Sequence, residues 1–258
     1  MKGNARLMIA LLSDVHANLE ALTSVIRDMA GRKITRIFFL GDILGYGPNP
    51  VAVLEFLKKF EFCLMGNHDR AVLTGPPAKF NPVAKTAVEW TREQIHPAYV
   101  HFKWFRPWTY RKRMEWWRFL LQMKPIRREG EWVFCHDHPL YPGSDKYVYK
   151  IEDARAVLDG LPDARAFFIG HSHVPMIFNY KERIKPEEGT IYPIDQRIIV
   201  NVGSVGQPRD QDPRACYVLL DERGVQFVRV PYDFQKTLDK IKKVGLPDLL
   251  GERLVEGK

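Results

Sequence analysis

Short apolar runs recur along the chain, each closed by a polar cluster: Leu7–Leu12, Ile37–Leu40, Phe62–Met65, Trp132–Cys135, Ala166–Ile169 and Ile198–Val202. Runs of this length, bounded by turn residues, predict buried strands. Between them the apolar positions take the helical period. Asn18 to Met29 places Leu19, Leu22, Val25, Ile26 and Met29 on one face, and Val51 to Phe60 does the same with Val51, Leu54 and Leu57. Buried strands alternating with amphipathic helices predict an α/β sandwich. In the last third, Ala215–Leu220 and Val225–Val230 flank the turn Asp221-Glu222-Arg223-Gly224 and predict a β-hairpin. Asp233 caps a final helix through Lys243 that stops at Gly245, and the tail beyond Pro247 is expected to be partly ordered at best.

One stretch breaks this rhythm. Residues 76–128 hold a helix predicted over Pro82 to Ile95, then a dense mixture of aromatics and bases that includes Trp104, Trp108, Trp116, Trp117, Arg111, Lys112 and Arg113. It reads as an inserted helical lid over one edge of a single domain spanning 1–258. Packing of the aromatics on the core, with the bases snorkelling into water, ranks first together with contact to a second copy in a homo-oligomer. A substrate lid ranks second and single-stranded nucleic acid third.

Composition narrows the picture only a little. A chain of 258 residues buries a sizeable core without staples. Its 3 cysteines are odd in number and dispersed, which argues against a disulfide framework and for a reducing compartment. The first apolar run is too short for a signal-peptide core and nothing reaches membrane-spanning length, so the cytoplasm is the expected address and no membrane partner is expected. The net charge of +8 attracts phosphates, on nucleotides, nucleic acid or lipid, and equally serves solubility.

The chemistry sits where the predicted strands end. The first ends in Asp14-Val15-His16, the second in Gly41-Asp42, the third in Gly66-Asn67-His68-Asp69, the fourth in His136 and the fifth in Gly170-His171-Ser172-His173. Ligands gather at the carboxyl ends of strands in α/β sheets, so these clusters converge on one expected site. In an extended chain residues i and i+2 point the same way, so Asp14 with His16, and His171 with His173, are each expected to grip one ion. Carboxylate, amide and imidazole without thiolate favour Mn, Fe, Ni, Co or Zn over Mg or Ca. Seven such groups exceed the needs of one ion and suit two, about 3.5–4 Å apart. A lone Asp-x-His pair is usually a strand end meeting solvent, but five blocks in register reverse that reading.

Together and in this order the blocks resemble the calcineurin-like metallophosphoesterase superfamily. The run from Asn201 to Arg209 extends the likeness, and Gly41 to Pro48 is similar to a small prokaryotic branch of YfcE-like phosphodiesterases and phosphatases. The resemblance implies a four-layer α/β/β/α sandwich of the metallo-dependent phosphatase type. It implies that Asp14, His16 and His173 hold one ion, that Asn67, His136 and His171 hold a second, and that Asp42 bridges them. Manganese ranks first among the candidate metals. A metal-bridging hydroxide would attack phosphorus, His68 would protonate the leaving oxygen, and Asp69 would orient the His68 ring. In the fourth block, Cys135-His136-Asp137-His138-Pro139, many relatives have glycine after the histidine. His136 is preferred over His138 as the ligand because it directly follows the strand, and Asp137 would orient a ligand or narrow the pocket. Asn67, Tyr46, Arg70 and Arg209 are candidate substrate contacts, with surface or packing roles equally open to the last three. The expected activity is metal-dependent hydrolysis of a small phosphomonoester or phosphodiester, with a nucleotide among the candidates. A nuclease and a non-catalytic scaffold on the same fold are the alternatives, the latter opposed by the intact His68.

Overall fold

The computed structural model describes residues 8–99 and 107–258. Two six-stranded mixed sheets lie face to face with helices outside, the expected four layers. The first sheet runs β3 (Phe62–Cys63), β2 (Arg36–Phe39), β1 (Ile9–Leu12), β11 (Ala215–Asp221), β12 (Gly224–Val230), β9 (Ile191–Tyr192). The second runs β4 (Ile126–Glu129), β5 (Trp132–Cys135), β6 (Ala166–Ile169), β10 (Ile198–Asn201), β7 (Met176–Phe178), β8 (Arg183–Ile184). β1 and β2 are parallel, as are β5, β6 and β10, so the C-terminal ends within each group open toward one edge.

The apolar runs are continuous because both faces of the central strands are covered. In β1, Ile9 and Leu11 enter the layer between the sheets with Phe38, Phe134, Phe168, Val200 and Val218. Ala10 and Leu12 point outward against Leu22 and Val25 of helix α1 (Leu19–Ala30). Phe134 stacks on Phe168 at 5.1 Å and meets Phe38 edge-on at 5.2 Å, locking the two sheets together. On the far side, Cys135, Phe167, Ile169 and Ile199 pack on Ala154, Val157 and Leu158 of α6 (Ile151–Gly160). Asn18 caps α1, its side chain accepting from the Ala21 amide at 3.1 Å.

Two elements depart from expectation, while the 76–128 stretch follows the reading ranked first. Val51 to Phe60 is not one helix: α2 (Pro50–Leu54) gives way to a 3₁₀ turn over Glu55–Lys59. The tail is ordered, contrary to expectation. After α7 (Phe234–Lys243), α8 (Leu249–Glu256) buries Leu250 and Leu254, four residues apart on one face, against Ile241, Leu246 and Tyr46. In the 76–128 stretch, α4 (Pro82–Ile95) buries Ala84, Ala87 and Val88, while α5 (Pro107–Gln122) buries Trp116 and Leu120. Trp116 and Trp117 join the core outside the first sheet, with Lys112 over Trp116 at 5.2 Å and Arg92 over Trp117 at 5.6 Å. Trp104 and the Trp108 side chain lie outside the described residues. Among the described residues no helix is long and apolar enough to cross a membrane.

Candidate metal centre

The side chains that end the strands do meet, but not through extended backbone. Asp14, His16, Asp42, His171 and His173 all have positive φ, between 47° and 66°. This left-handed conformation costs an L-residue roughly 1–2 kcal/mol, and five such residues at one place mark a constrained site. Main-chain bonds lock the turns: Asp14 N donates to Gly41 O at 3.0 Å, and His16 N to Asp42 O at 3.0 Å. The expectation that His171 and His173 grip one ion as an i, i+2 pair is therefore corrected. His173 Nε2 lies 3.2 Å from Asp14 Oδ1, while the His171 ring faces His136, with centroids 5.1 Å apart. Two glycines make the convergence possible. A Cβ on Gly66 would lie 2.0 Å from Asp42 Oδ1, and one on Gly170 would lie 2.1 Å from Ser13 Oγ.

Each histidine is oriented by one hydrogen bond to the main chain. His16 Nδ1 reaches Leu44 O (2.9 Å), His136 Nδ1 reaches Leu40 O (3.0 Å) and His173 Nδ1 reaches Gln207 O (2.7 Å). His171 uses the other nitrogen, with Nε2 3.2 Å from Asp145 O. A carbonyl only accepts, so each of these nitrogens carries the proton and the remaining nitrogen is free to ligate.

The Nε2 atoms of His16, His136 and His173 surround two carboxylates, and His171 is in neither donor cluster. Asp14 Oδ1 is 3.6 Å from His16 Nε2 and 4.0 Å from His136 Nε2. Asp42 Oδ2 is 3.6 Å from His16 Nε2 and 3.3 Å from His136 Nε2, which puts this oxygen between two imidazoles. Asn67 Oδ1 is 3.1 Å from His136 Nε2. Two donor sets result: Asp14, His16 and His173, and Asp14, Asp42 and His136. Asp14 Oδ1 and Asp42 Oδ2 are fully buried and have no hydrogen-bond partner. Orphaned buried carboxylate oxygens are costly, and a cation supplies what they lack. Burial works against a charged His136, but the Asp42 and Asp14 carboxylates prevail and raise its pKa to about 10. The residues present suit a borderline transition ion.

Residues 7–224 match the calcineurin-like phosphoesterase superfamily domain. The chain belongs to that superfamily. An uncharacterized protein of Methanocaldococcus jannaschii is 36% identical over 259 residues, covering 97% of this chain and 98% of that one. The crystal structure of a metallophosphoesterase from Sphaerobacter thermophilus is 33% identical and superposes with a TM-score of 0.81 over 98% of this chain and 100% of that one. A hypothetical protein from Pyrococcus horikoshii, 18% identical, shares the fold at a TM-score of 0.74 over 98% and 99% of the two chains. That superfamily is one of metal-dependent phosphoric ester hydrolases.

Beside these donors lies a cavity of about 240 Å³, lined among others by Tyr46, Asn67, His68, Phe80, Tyr147 and His171. A larger cavity of about 480 Å³, lined by Glu131, Arg165 and Asp221, contains none of the clustered donors. His68 opens helix α3 (Asn67–Thr74), and its ring is clamped by Tyr46 (4.3 Å) and Phe80 (4.9 Å). Its buried Nδ1 has no hydrogen-bond partner. Asp69 does not orient that ring, contrary to expectation. Its carboxylate accepts from the amides of Asp42 (2.8 Å), Leu44 (3.0 Å) and Gly66 (3.2 Å) and so staples two site turns together. Burial and the nearby Asp42 charge push the Asp69 carboxyl up to about 7.

Arg70 is engaged by the Asp145 carboxylate, which also takes Lys79 at 2.7 Å, and Arg70 does not line the cavity. Arg209 lies over the Tyr46 ring, 5.8 Å from its centroid. Asp137 accepts from the amides of Gly143 (2.9 Å) and Asp145 (2.7 Å), so it shapes a loop instead of contacting the donors. His138 Nδ1 accepts from the Leu140 amide at 3.3 Å, and its ring faces Tyr141. That loop carries site residues that sequence reasoning missed. The Asp145 carbonyl orients His171, and Tyr147 stacks on the His171 ring at 4.1 Å and 12°. Pro142-Gly143-Ser144 is a turn sequence, but nothing in it points to the metal site.

Proposed function

We propose that this chain hydrolyses a small phosphate ester at a centre of two transition-metal ions, with His68 as the general acid. The observation that supports it best is the pair of orphaned carboxylate oxygens, Asp14 Oδ1 and Asp42 Oδ2, ringed by imidazole nitrogens. In this reading Asp14, His16 and His173 hold one ion and Asn67, His136 and His171 the other. Asp42, between His16 and His136, serves both. Bound there, the ions neutralise phosphate charge and supply a nucleophilic water at neutral pH.

The rest is the work of the side chains. Asp42 uses its second oxygen to accept the His68 main-chain amide at 2.8 Å, which ties the start of α3 to the centre. His68 projects from there into the cavity, placed to give a proton to the departing oxygen. Burial holds its ring well below the usual imidazole range, so the ring is neutral until a bound phosphate anion beside it favours the imidazolium. Tyr46 and Phe80 limit its rotation. The size of the cavity favours a small ester, a mononucleotide included, over a nucleic-acid strand. Manganese remains first among Mn, Fe, Ni, Co and Zn.

The test is turnover of p-nitrophenyl phosphate and bis-p-nitrophenyl phosphate by metal-depleted protein resupplied with each ion. The expected result is metal-dependent hydrolysis that is lost in Asp42→Asn. Stoichiometric metal binding without turnover of either ester would reject hydrolysis and favour the scaffold.

A further inference from the structure

Four partly buried arginines among the described residues are paired with carboxylates. Arg36 pairs with Glu61 and Glu129, Arg70 with Asp145, Arg214 with Asp212 and Glu188, and Arg229 with Asp210. Arg92, Arg113, Arg197, Arg209 and Arg253 are not so paired, and of these Arg209 and Arg253 border one cavity together. Among the described residues, neither Arg209 nor Arg253 has a carboxylate within ion-pair distance. Arg209 gives one N–H to the Gln207 side-chain oxygen at 2.6 Å. Arg253 sits one helical turn from Glu256 on α8, yet the Glu256 carboxylate goes to Lys258 at 3.1 Å.

Both guanidiniums face the same place. With Leu249, Glu256 and Lys258 they line a cavity of about 340 Å³. Arg209 stands at its inner end. Its main-chain amide donates to His173 O at 3.1 Å, one residue's reach from a metal-ligand candidate. Its side chain lies over Tyr46, whose other neighbours are His16 at 4.7 Å and His68 at 4.3 Å. The Tyr46 hydroxyl, raised by burial, is drawn back by the charges of Arg209 and then Arg253, which places both near that ring. Two cations half-buried together repel each other, and each has donors to spare for a planar, bidentate anion.

We propose that Arg209 and Arg253 form a second anion subsite beside the metal centre, so that the substrate is a phosphate ester carrying a further anionic group. The inference rests on the phosphoesterase reading of the neighbouring centre. The recognised chemistry is a phosphate or a carboxylate at the far end of the ester. Leu249 gives the arginine cavity an apolar wall, and the Tyr46 ring lines the cavity beside the metal donors.

The test is calorimetric titration of the full-length, metal-loaded protein with three series of graded chain length. These are alkyl phosphonates, alkane bisphosphonates and ω-phosphonocarboxylates. At one chain length the doubly anionic ligand should bind about tenfold more tightly than the alkyl phosphonate, the scale of one charge-assisted contact. Arg253→Gln and Arg209→Gln should each remove most of that gain, with circular dichroism confirming that the variants fold. A gain confined to bisphosphonates identifies phosphate as the second group, and an equal gain for phosphonocarboxylates identifies any anion of that reach. Equal affinities across the three series, or a gain untouched in both variants, would overturn the subsite. Turnover of p-nitrophenyl esters is measured on the same preparation. Tight bisphosphonate binding without turnover counts against hydrolysis and supports the subsite, while turnover with equal affinities does the reverse.

Discussion

The Nε2 atoms of His16 and His173 stand 3.1 Å apart, although each ring has committed its Nδ1 proton to a main-chain carbonyl. As neutral rings they present lone pairs to each other, and Asp14 Oδ1 adds a third acceptor at 3.6 and 3.2 Å. Acceptors crowded this closely repel one another until a cation lies among them.

Metal loading is therefore expected to stabilise the fold. At an ion concentration about a hundredfold above Kd the gain is about 2.7 kcal/mol, which for a chain of this size raises Tm by roughly 5–10 °C. Differential scanning calorimetry of chelator-treated protein, titrated with Mn, Fe, Ni, Co and Zn in turn, measures it. Asp42→Asn should lose most of the shift. A wild-type Tm unmoved by every ion would contradict the assigned centre.

His68 is separable from the donors because its ring touches Tyr46 and Phe80 and its Nδ1 is unpartnered. His68→Ala should keep its metal content by elemental analysis and lose about 10²–10⁴ in kcat, the range for a general acid. The loss should be smaller for p-nitrophenyl esters than for alkyl esters, since a good leaving group needs no proton. An equal loss for both would assign His68 to binding instead.

The legible part of this molecule was the part with one simple physical cause. β1, β2, β5, β6 and β10 are covered on both faces, so residues such as Ala166–Ile169 read as unbroken apolar runs. The donors stood out because they end those runs. β4 was illegible because Ile126-Arg127-Arg128-Glu129 is an edge strand, mostly exposed and polar in composition. α5 hid its face because aromatics and bases occur all around it. At the site, residue types were readable but backbone conformation was not. The left-handed turns at Asp14 and His171 depend on partners far along the chain: Gly41 O for one, and Asp14 Oδ2 at 3.1 Å from the His171 amide for the other. Asp69 has the same origin, since its amide partners at Asp42 and Leu44 are remote in sequence.

Gly66 carries a prediction of its own. A Cβ there meets the Asp42 amide at 2.3 Å as well as its carboxylate, and neither is the free end of a flexible chain. Gly66→Ala should displace Asp42, abolish the metal-dependent rise in Tm and cost about 1–3 kcal/mol of stability, the range for overpacking. Gly31→Ala is the control, because φ there is −80° and the nearest atom lies at 3.6 Å. It should be neutral or stabilising by up to about 1 kcal/mol. Equal urea midpoints for the two variants would show that Gly66 is not needed for close approach.

The metal-free protein should weaken on acidification, for a reason that can be signed. Burial, with the Arg209 charge next, lowers His173 to about 3, and burial, with the His136 charge next, lowers His171 to about 4. An unfolded imidazole takes its proton near pH 6.5. Between that pH and the folded values the unfolded chain binds more protons, so stability falls as pH falls through this window. His136 has the opposite sign. At about 10 its folded ring keeps a proton that the unfolded ring has lost, so its contribution is complete below about pH 6.5 and disappears as pH rises through about 10. Urea midpoints of metal-free protein across this range should fall on both sides of neutrality. His173→Gln removes one of the rings responsible for the acid limb, so its midpoints should fall less steeply between about pH 6.5 and 3. An acid limb of unchanged slope in that variant would show that the buried His173 ring does not set it.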